Sequence, residues 1–228
     1  MVKWIALITM VVDHLRFVWP DLVFLLIVGR LSFPFFCLAI AANVARVKPG
    51  LLLSPSNCRY VLLMVFFSLI SELPYQQFLD SDTLNVFPSL TLGLLVALGL
   101  YHRTAASLAM AALAVVSAFC FEQVLMYGFF GVLLPAAFVL MMKRPNWPMA
   151  AFVPAVICIL MNSRYGGLER VLSFELYNSL KLLAALSSVF LGVWLLRQRF
   201  TVAVWKVGYW GYWFYPAHLI ALAAMSGM

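Results

Sequence analysis

The chain has 228 residues, 65% of them hydrophobic and 10% charged, with a mean hydropathy of +1.02. A soluble domain carries roughly 25% charged residues, so a water-soluble globule is excluded and an integral membrane protein is implied. The formal net charge of +7 does not point to nucleic acid, because Lys and Arg fall in short segments between apolar runs rather than along one basic face.

The apolar runs suit helices of about 20 residues and lack the polar–apolar alternation of a membrane barrel. They predict an all-α, polytopic transmembrane helical bundle with spans at 2–19, 22–46, 59–79, 84–101, 104–121, 124–142, 147–162, 175–197 and 205–227. That makes nine helices. Eight is the alternative, since the seventh run is short and only the acidic Asp80 to Asp82 turn divides the third from the fourth. The first run lacks a basic leader and a small-residue cleavage site and carries Asp13 and His14, so it is expected to be a retained helix. Without a repeat, low-complexity tract or long linker, residues 1–228 read as a single domain.

Loop charges orient the bundle. Arg46, Lys48 and Arg59 flank the second loop, His102 and Arg103 the fourth, Lys143 and Arg144 the sixth, and Arg197, Arg199 and Lys206 the eighth. The odd loops carry Asp21, then Asp80 and Asp82, then Glu122, then a mixed stretch of Arg164, Glu169, Arg170 and Glu175. By the positive-inside rule the N-terminus is cytoplasmic and the C-terminus outside. His14 then lies about 7 Å from the outer end of its helix and Arg30 about 12 Å into the next. Glu72, Asn178, Lys181 and His218 also fall in outer half-helices, so the polar side chains gather on the non-cytoplasmic side.

Charged groups at membrane depth cost about 2.5–3.5 kcal/mol each on insertion scales and mark functional sites. His14 is the candidate base, since imidazole titrates near neutrality. Asp13 points about 100° away from it and is expected to pair with Arg16 or with another helix; the alternative for this group is a structural ion cluster. Arg30 lies in GRLSFPFF, where Gly29 permits close approach and Pro34 bends the helix. Its guanidinium suits an oxyanion or phosphate, or a salt bridge to Asp13 or Glu72. Glu72, just before Pro74, is expected to be exposed by a bend. Tyr215 and His218 share one face of the last helix, and Lys181 either snorkels to the surface or contacts substrate. Tyr209, Trp210, Tyr212 and Trp213 lie towards the cytoplasmic end and could line a cofactor route, whereas His102 reads as an interfacial loop residue. The Ser163 to Phe174 loop is a connector or a lid. Cys37, Cys58, Cys120 and Cys158 show no paired spacing, so no disulfide framework or metal site is expected.

The blocks WIALITMVVDHL, GRLSFPFFCLA with AANVAR, FSLISELPYQQF, LNVFPSLTLGLL, YGFFGVLL and FYPAHL together resemble the TraX family of conjugative-plasmid membrane proteins, which includes the pilin acetylase and TrbP-type relatives. A distant likeness to acyltransferase-3 membrane acyltransferases extends to His14 and the Arg30 block. One departure is Met126, which precedes Tyr127 where the family often has an acidic residue. The resemblance implies acetylation of a conjugative pilin subunit with acetyl-CoA as co-substrate, in the bacterial inner membrane, possible contact with other conjugation-machine proteins, and no nucleic acid. His14, Asp13 and Arg30 are then the expected catalytic residues, with Arg16, Glu72, Tyr215, His218 and Lys181 binding substrate or cofactor. The competing readings are a non-catalytic assembly factor and a proton-coupled transporter relaying through Asp13, His14 and Glu72.

Overall fold

The structure, a computed structural model, describes residues 1–144, 148–162, 175–198 and 205–227. Its described residues form nine helical passes: α1 (Val2–Val18), α2 (Leu25–Gly29) continued by α3 (Ser32–Val44), α4 (Pro55–Leu79), α5 (Val86–His102), α6 (Ala105–Cys120), α7 (Gly128–Met142), a 3-10 turn leading into α8 (Phe152–Asn162), α9 (Leu176–Arg197) and α10 (Trp210–Ser226). Three of them, Leu25–Val44, Pro55–Leu79 and Leu176–Arg197, are long and apolar enough to cross a membrane, and four shorter ones are apolar.

Local chemistry sets the ends. Ser54 accepts from the Asn57 amide at 3.2 Å, and Pro55 sits at the first helical position, so the third pass begins earlier than its apolar run. Thr104 and Ser107 exchange side-chain-to-backbone bonds at 3.1 and 2.9 Å to start α6. The second pass is interrupted. Pro34 has no amide to bond the Arg30 carbonyl, and Leu31 donates instead to Val28 at 3.1 Å, so the helix breaks at Arg30 and Leu31, a turn ahead of the proline.

Interhelix bonds show which ends lie together. At one end Trp4 Nε1 donates to the Trp205 carbonyl at 2.8 Å, Tyr101 Oη to the Val47 carbonyl at 2.8 Å, Lys143 Nζ to the Leu100 carbonyl at 2.9 Å, and Arg59 to Tyr209 Oη at 2.8 Å. Arg46, Lys48, Arg103 and Arg144 adjoin these residues in the chain. At the other end Leu84 donates to the Val124 carbonyl at 2.8 Å and Tyr177 Oη to that of Val23 at 3.1 Å. The passes therefore alternate in direction, with a basic end and an opposite end. His102 is a correction to its reading as an interfacial loop residue: it closes α5, is 5% exposed, and its Nε2 lies 3.1 Å from Asn57 Nδ2, tying α5 to α4. Arg164, Glu169, Arg170, Arg199 and the Ser163 to Phe174 loop lie outside the described residues.

The core is centred on α3, whose Phe33, Phe35, Leu38, Ala41 and Val44 are almost fully buried. The outward faces are as apolar as the core: Leu62, Leu69 and Leu73 of α4, and Leu113 and Phe119 of α6, are all more than 60% exposed. A helix apolar all round needs an apolar surrounding, which acyl chains supply. Packing against α3, rather than exclusion of water, then holds the bundle together.

Candidate active site

The end opposite the basic loops contains a cavity of about 380 Å³. Asp13, His14, Arg16, Arg30 and Lys181 line it, together with Tyr75 and Tyr127. Its charged side chains come from three passes, and the break in the second pass turns Arg30 into the space.

His14 and His218 meet at its wall. Their rings stack with centroids 5.0 Å apart, and His14 Nδ1 lies 2.8 Å from His218 Nε2. His218 Nδ1 is 3.1 Å from the Phe214 carbonyl, which only accepts, so the proton of neutral His218 sits on Nδ1. His218 Nε2 is then an acceptor, and His14 Nδ1 must donate to it. This assigns His14 Nε2 as the unprotonated nitrogen, without a partner among the described residues. Both histidines are 8% exposed.

Asp13 is held from two sides. Arg16 Nε donates to its Oδ1 at 3.1 Å, one turn along the same face. Its carboxylate also lies where a β-carbon on Gly29 would be, so only glycine at that position lets α2 pack this close to α1. The Arg16 guanidinium lies over the Phe17 ring, 4.0 Å from its centroid. Arg30 differs from Arg16. Its Nε is fully buried without a partner, and it makes no ion pair among the described residues. A smaller recess beside it is lined by Asp13, Gly29, Phe33 and Tyr127. The rest of the half-buried guanidinium lines the cavity close enough to Asp13 to act on it electrostatically, and can serve as an anion or oxyanion donor.

The remaining candidates are placed differently. Lys181 lines the cavity, with its ammonium 4.6 Å from the Tyr177 ring centroid. Glu72 does not line it: α4 stays helical through Pro74 to Leu79, and the expected exposed carboxylate instead accepts from Gln76 Nε2 at 2.8 Å, the Asn85 amide at 3.0 Å and Asn85 Nδ2 at 2.6 Å. It fastens the start of α5 to α4. Tyr215 is buried against Phe87, edge-on at 5.3 Å, and faces a different cavity. Tyr127 was not singled out from sequence. It stacks on Phe33 at 3.7 Å and lines one recess with Asp13 and Arg30, and its signal is the Tyr-Gly step in which Gly128 takes φ +56° to open α7.

No group of three or more metal-ligating side chains occurs among the described residues. The arrangement offers one unprotonated imidazole nitrogen with its tautomer held from behind, and one guanidinium without an ion pair among the described residues, both on the same cavity. That is equipment for moving a proton while negative charge develops on oxygen. A family model described as TraX protein matches residues 1–226 of the chain. No curated protein and no solved structure gives a significant match.

Proposed function

The chain belongs to the TraX family of conjugation-related proteins, and from that premise we propose that it is a membrane-embedded acetyltransferase that modifies a conjugative pilin subunit with acetyl-CoA. The observation that carries the reading is that His14 Nε2, free of a partner among the described residues, and Arg30, which makes no ion pair among them, line one cavity. The bundle sits in the bacterial inner membrane with its basic end cytoplasmic and the cavity facing outward.

An α-amine with an ordinary pKa of about 7.7–8.0 reaches this cavity and must shed a proton as it attacks a thioester. His14 Nε2 takes that proton, and the bond from its Nδ1 to His218 lets the new positive charge spread onto a second ring anchored by the Phe214 carbonyl. The new C–N bond forms as the C–S bond breaks, and the proton passes from His14 to the departing thiolate. Arg30 donates to the carbonyl oxygen as it becomes an oxyanion, a role worth about 10²–10³ in rate where single donors have been removed. Asp13, neutralised on one side by Arg16, keeps the cavity from accumulating uncompensated positive charge.

The experiment is incubation of purified protein with acetyl-CoA and the cognate pilin, followed by intact-mass analysis of the pilin. Gain of one acetyl group on an amine supports the assignment. Absence of transfer from a well-folded protein to any amine or hydroxyl of the pilin would favour a non-catalytic assembly factor.

A further inference from the structure

Arg30 and Phe33 stand three residues apart in the second pass. The backbone stays right-handed through the break, with φ −61° and ψ −16° at Arg30 and φ −77° and ψ −30° at Leu31, so the two side chains keep to one face. Phe33 is 2% exposed and fixed in the core by α3. Its ring is therefore a rigid platform beside the guanidinium, and Tyr127, at the start of α7, lies on it with an interplanar angle of 20°. A β-carbon at Gly131, one turn further along α7, would collide with Tyr127 Cβ and press on the Phe33 ring, so glycine there admits the stack. The Tyr127 carbonyl accepts from the Gly131 amide at 3.1 Å, which ties the tyrosine backbone to the first turn.

The phenol is the part of Tyr127 that this packing does not use. Its Oη makes no hydrogen bond among the described residues. The half-buried side chain borders both the 380 Å³ cavity and the recess, of about 20 Å³, that it shares with Asp13 and Arg30. Such a space holds about one oxygen atom, since a single water needs roughly 10–15 Å³. Arg30 and Asp13 both lie close enough to Tyr127 to act on it electrostatically. Asp13 can only accept and is bonded to Arg16, whereas Arg30 donates and Tyr127 does either. Two donors from different passes therefore face the same small gap.

We propose that Tyr127 is a further catalytic residue of the acetyl transfer, donating from Oη to the thioester carbonyl oxygen as a second donor beside Arg30. The proposal rests on the transferase reading and extends it. When the acceptor nitrogen bonds to the carbonyl carbon, the π electron pair moves onto oxygen. That oxygen accepts from Arg30 and from Tyr127 Oη, and neither gives up its proton. On collapse the pair returns, the C–S bond breaks, and the departing thiolate takes the proton held by His14. A donor fixed beforehand stabilises this charge without reorganising, and the Phe33 stack supplies the fixing. Asp13 alone would oppose the same charge, and its bond from Arg16 offsets that repulsion.

The test is steady-state transfer of labelled acetyl groups to the pilin, with Tm recorded on the same full-length protein in detergent. Tyr127→Phe keeps the ring on Phe33 and removes only the oxygen. It is expected to lower kcat about 10²-fold with KM for acetyl-CoA and Tm unchanged. Replacement of Tyr127 by meta-fluorotyrosine, which keeps a hydroxyl and makes it a stronger donor, retains at least the wild-type kcat at neutral pH. Wild-type kcat in Tyr127→Phe would overturn the proposal and leave the transferase standing. A loss in the fluorotyrosine protein as large as in Tyr127→Phe, or a loss in Tyr127→Phe matched by a fall in Tm, would make the side chain structural and overturn it too. Absence of transfer by the wild type would remove the transferase and this role with it.

Discussion

Replacing His218 by Phe keeps a ring stacked on Phe214 and against His14 but removes the acceptor for the His14 Nδ1 proton, now 2.8 Å away. His14 is 8% exposed, so this donor has no water to turn to, and an unsatisfied buried donor costs about 1–3 kcal/mol. The ring escapes that cost by moving its proton to Nε2, the nitrogen that the reaction needs bare. A penalty of about 2 kcal/mol leaves about one molecule in thirty in the working tautomer. Loss of the partner for the imidazolium deepens the effect, and the full worth of general base catalysis, about 10²–10⁴, bounds it. The expected fall in kcat for acetyl transfer is therefore between about 30-fold and 10⁴-fold, with KM for acetyl-CoA little changed. His218→Gln, whose amide oxygen restores an acceptor, is expected to recover part of the loss, which a purely structural role would not produce. The assay is steady-state transfer of labelled acetyl groups to the pilin at saturating acceptor. A His218→Phe protein that is folded and turns over at the wild-type rate would refute the tautomer relay.

Arg30→Met is expected to lower kcat by about 10²–10³ while leaving Tm little changed, because the desolvation of a buried, unpartnered Nε offsets the attraction of the guanidinium to Asp13. Thermal unfolding alongside turnover checks both directions. Glu72→Ala should do the reverse: the Asn85 and Gln76 donors lose their acceptor, stability falls by about 2–3 kcal/mol, and the kcat of the folded fraction stays within a few-fold of wild type. For orientation, a reporter active only outside the cytoplasm and fused after Met228 is expected to be active; activity of a cytoplasm-dependent reporter there would invert the bundle.

The features readable from sequence are those carried by local pattern. Nine apolar runs become nine helical passes among the described residues, because each is long enough to satisfy its own backbone within one helix. The basic loops share an end because short connections make successive passes antiparallel. The Asp13 and Arg16 pair follows from helical spacing alone. What was not readable depends on partners far away in the chain. Glu72 looked available because nothing local reveals that Asn85, beyond a turn, delivers two donors to it. His102 looked solvated, and Asn57, 45 residues earlier, buries it. That Arg30 makes no close ion pair among the described residues could not be foreseen either, since both carboxylates named as partners for it are hydrogen-bonded elsewhere, Asp13 to Arg16 and Glu72 to Asn85. Tyr127 was overlooked because its Tyr-Gly step says nothing of what the ring meets; only the tertiary fold brings it to the same recess as Asp13 and Arg30.

The most direct measurement compares labelled acetyl transfer by wild type and His14→Gln, with desulfo-coenzyme A binding and Tm recorded on the same preparations. Transfer by the wild type, reduced at least about 10²-fold in the variant with binding and Tm preserved, is the result expected of His14 as the base. Undiminished transfer by His14→Gln would place the proton acceptor elsewhere and contradict it.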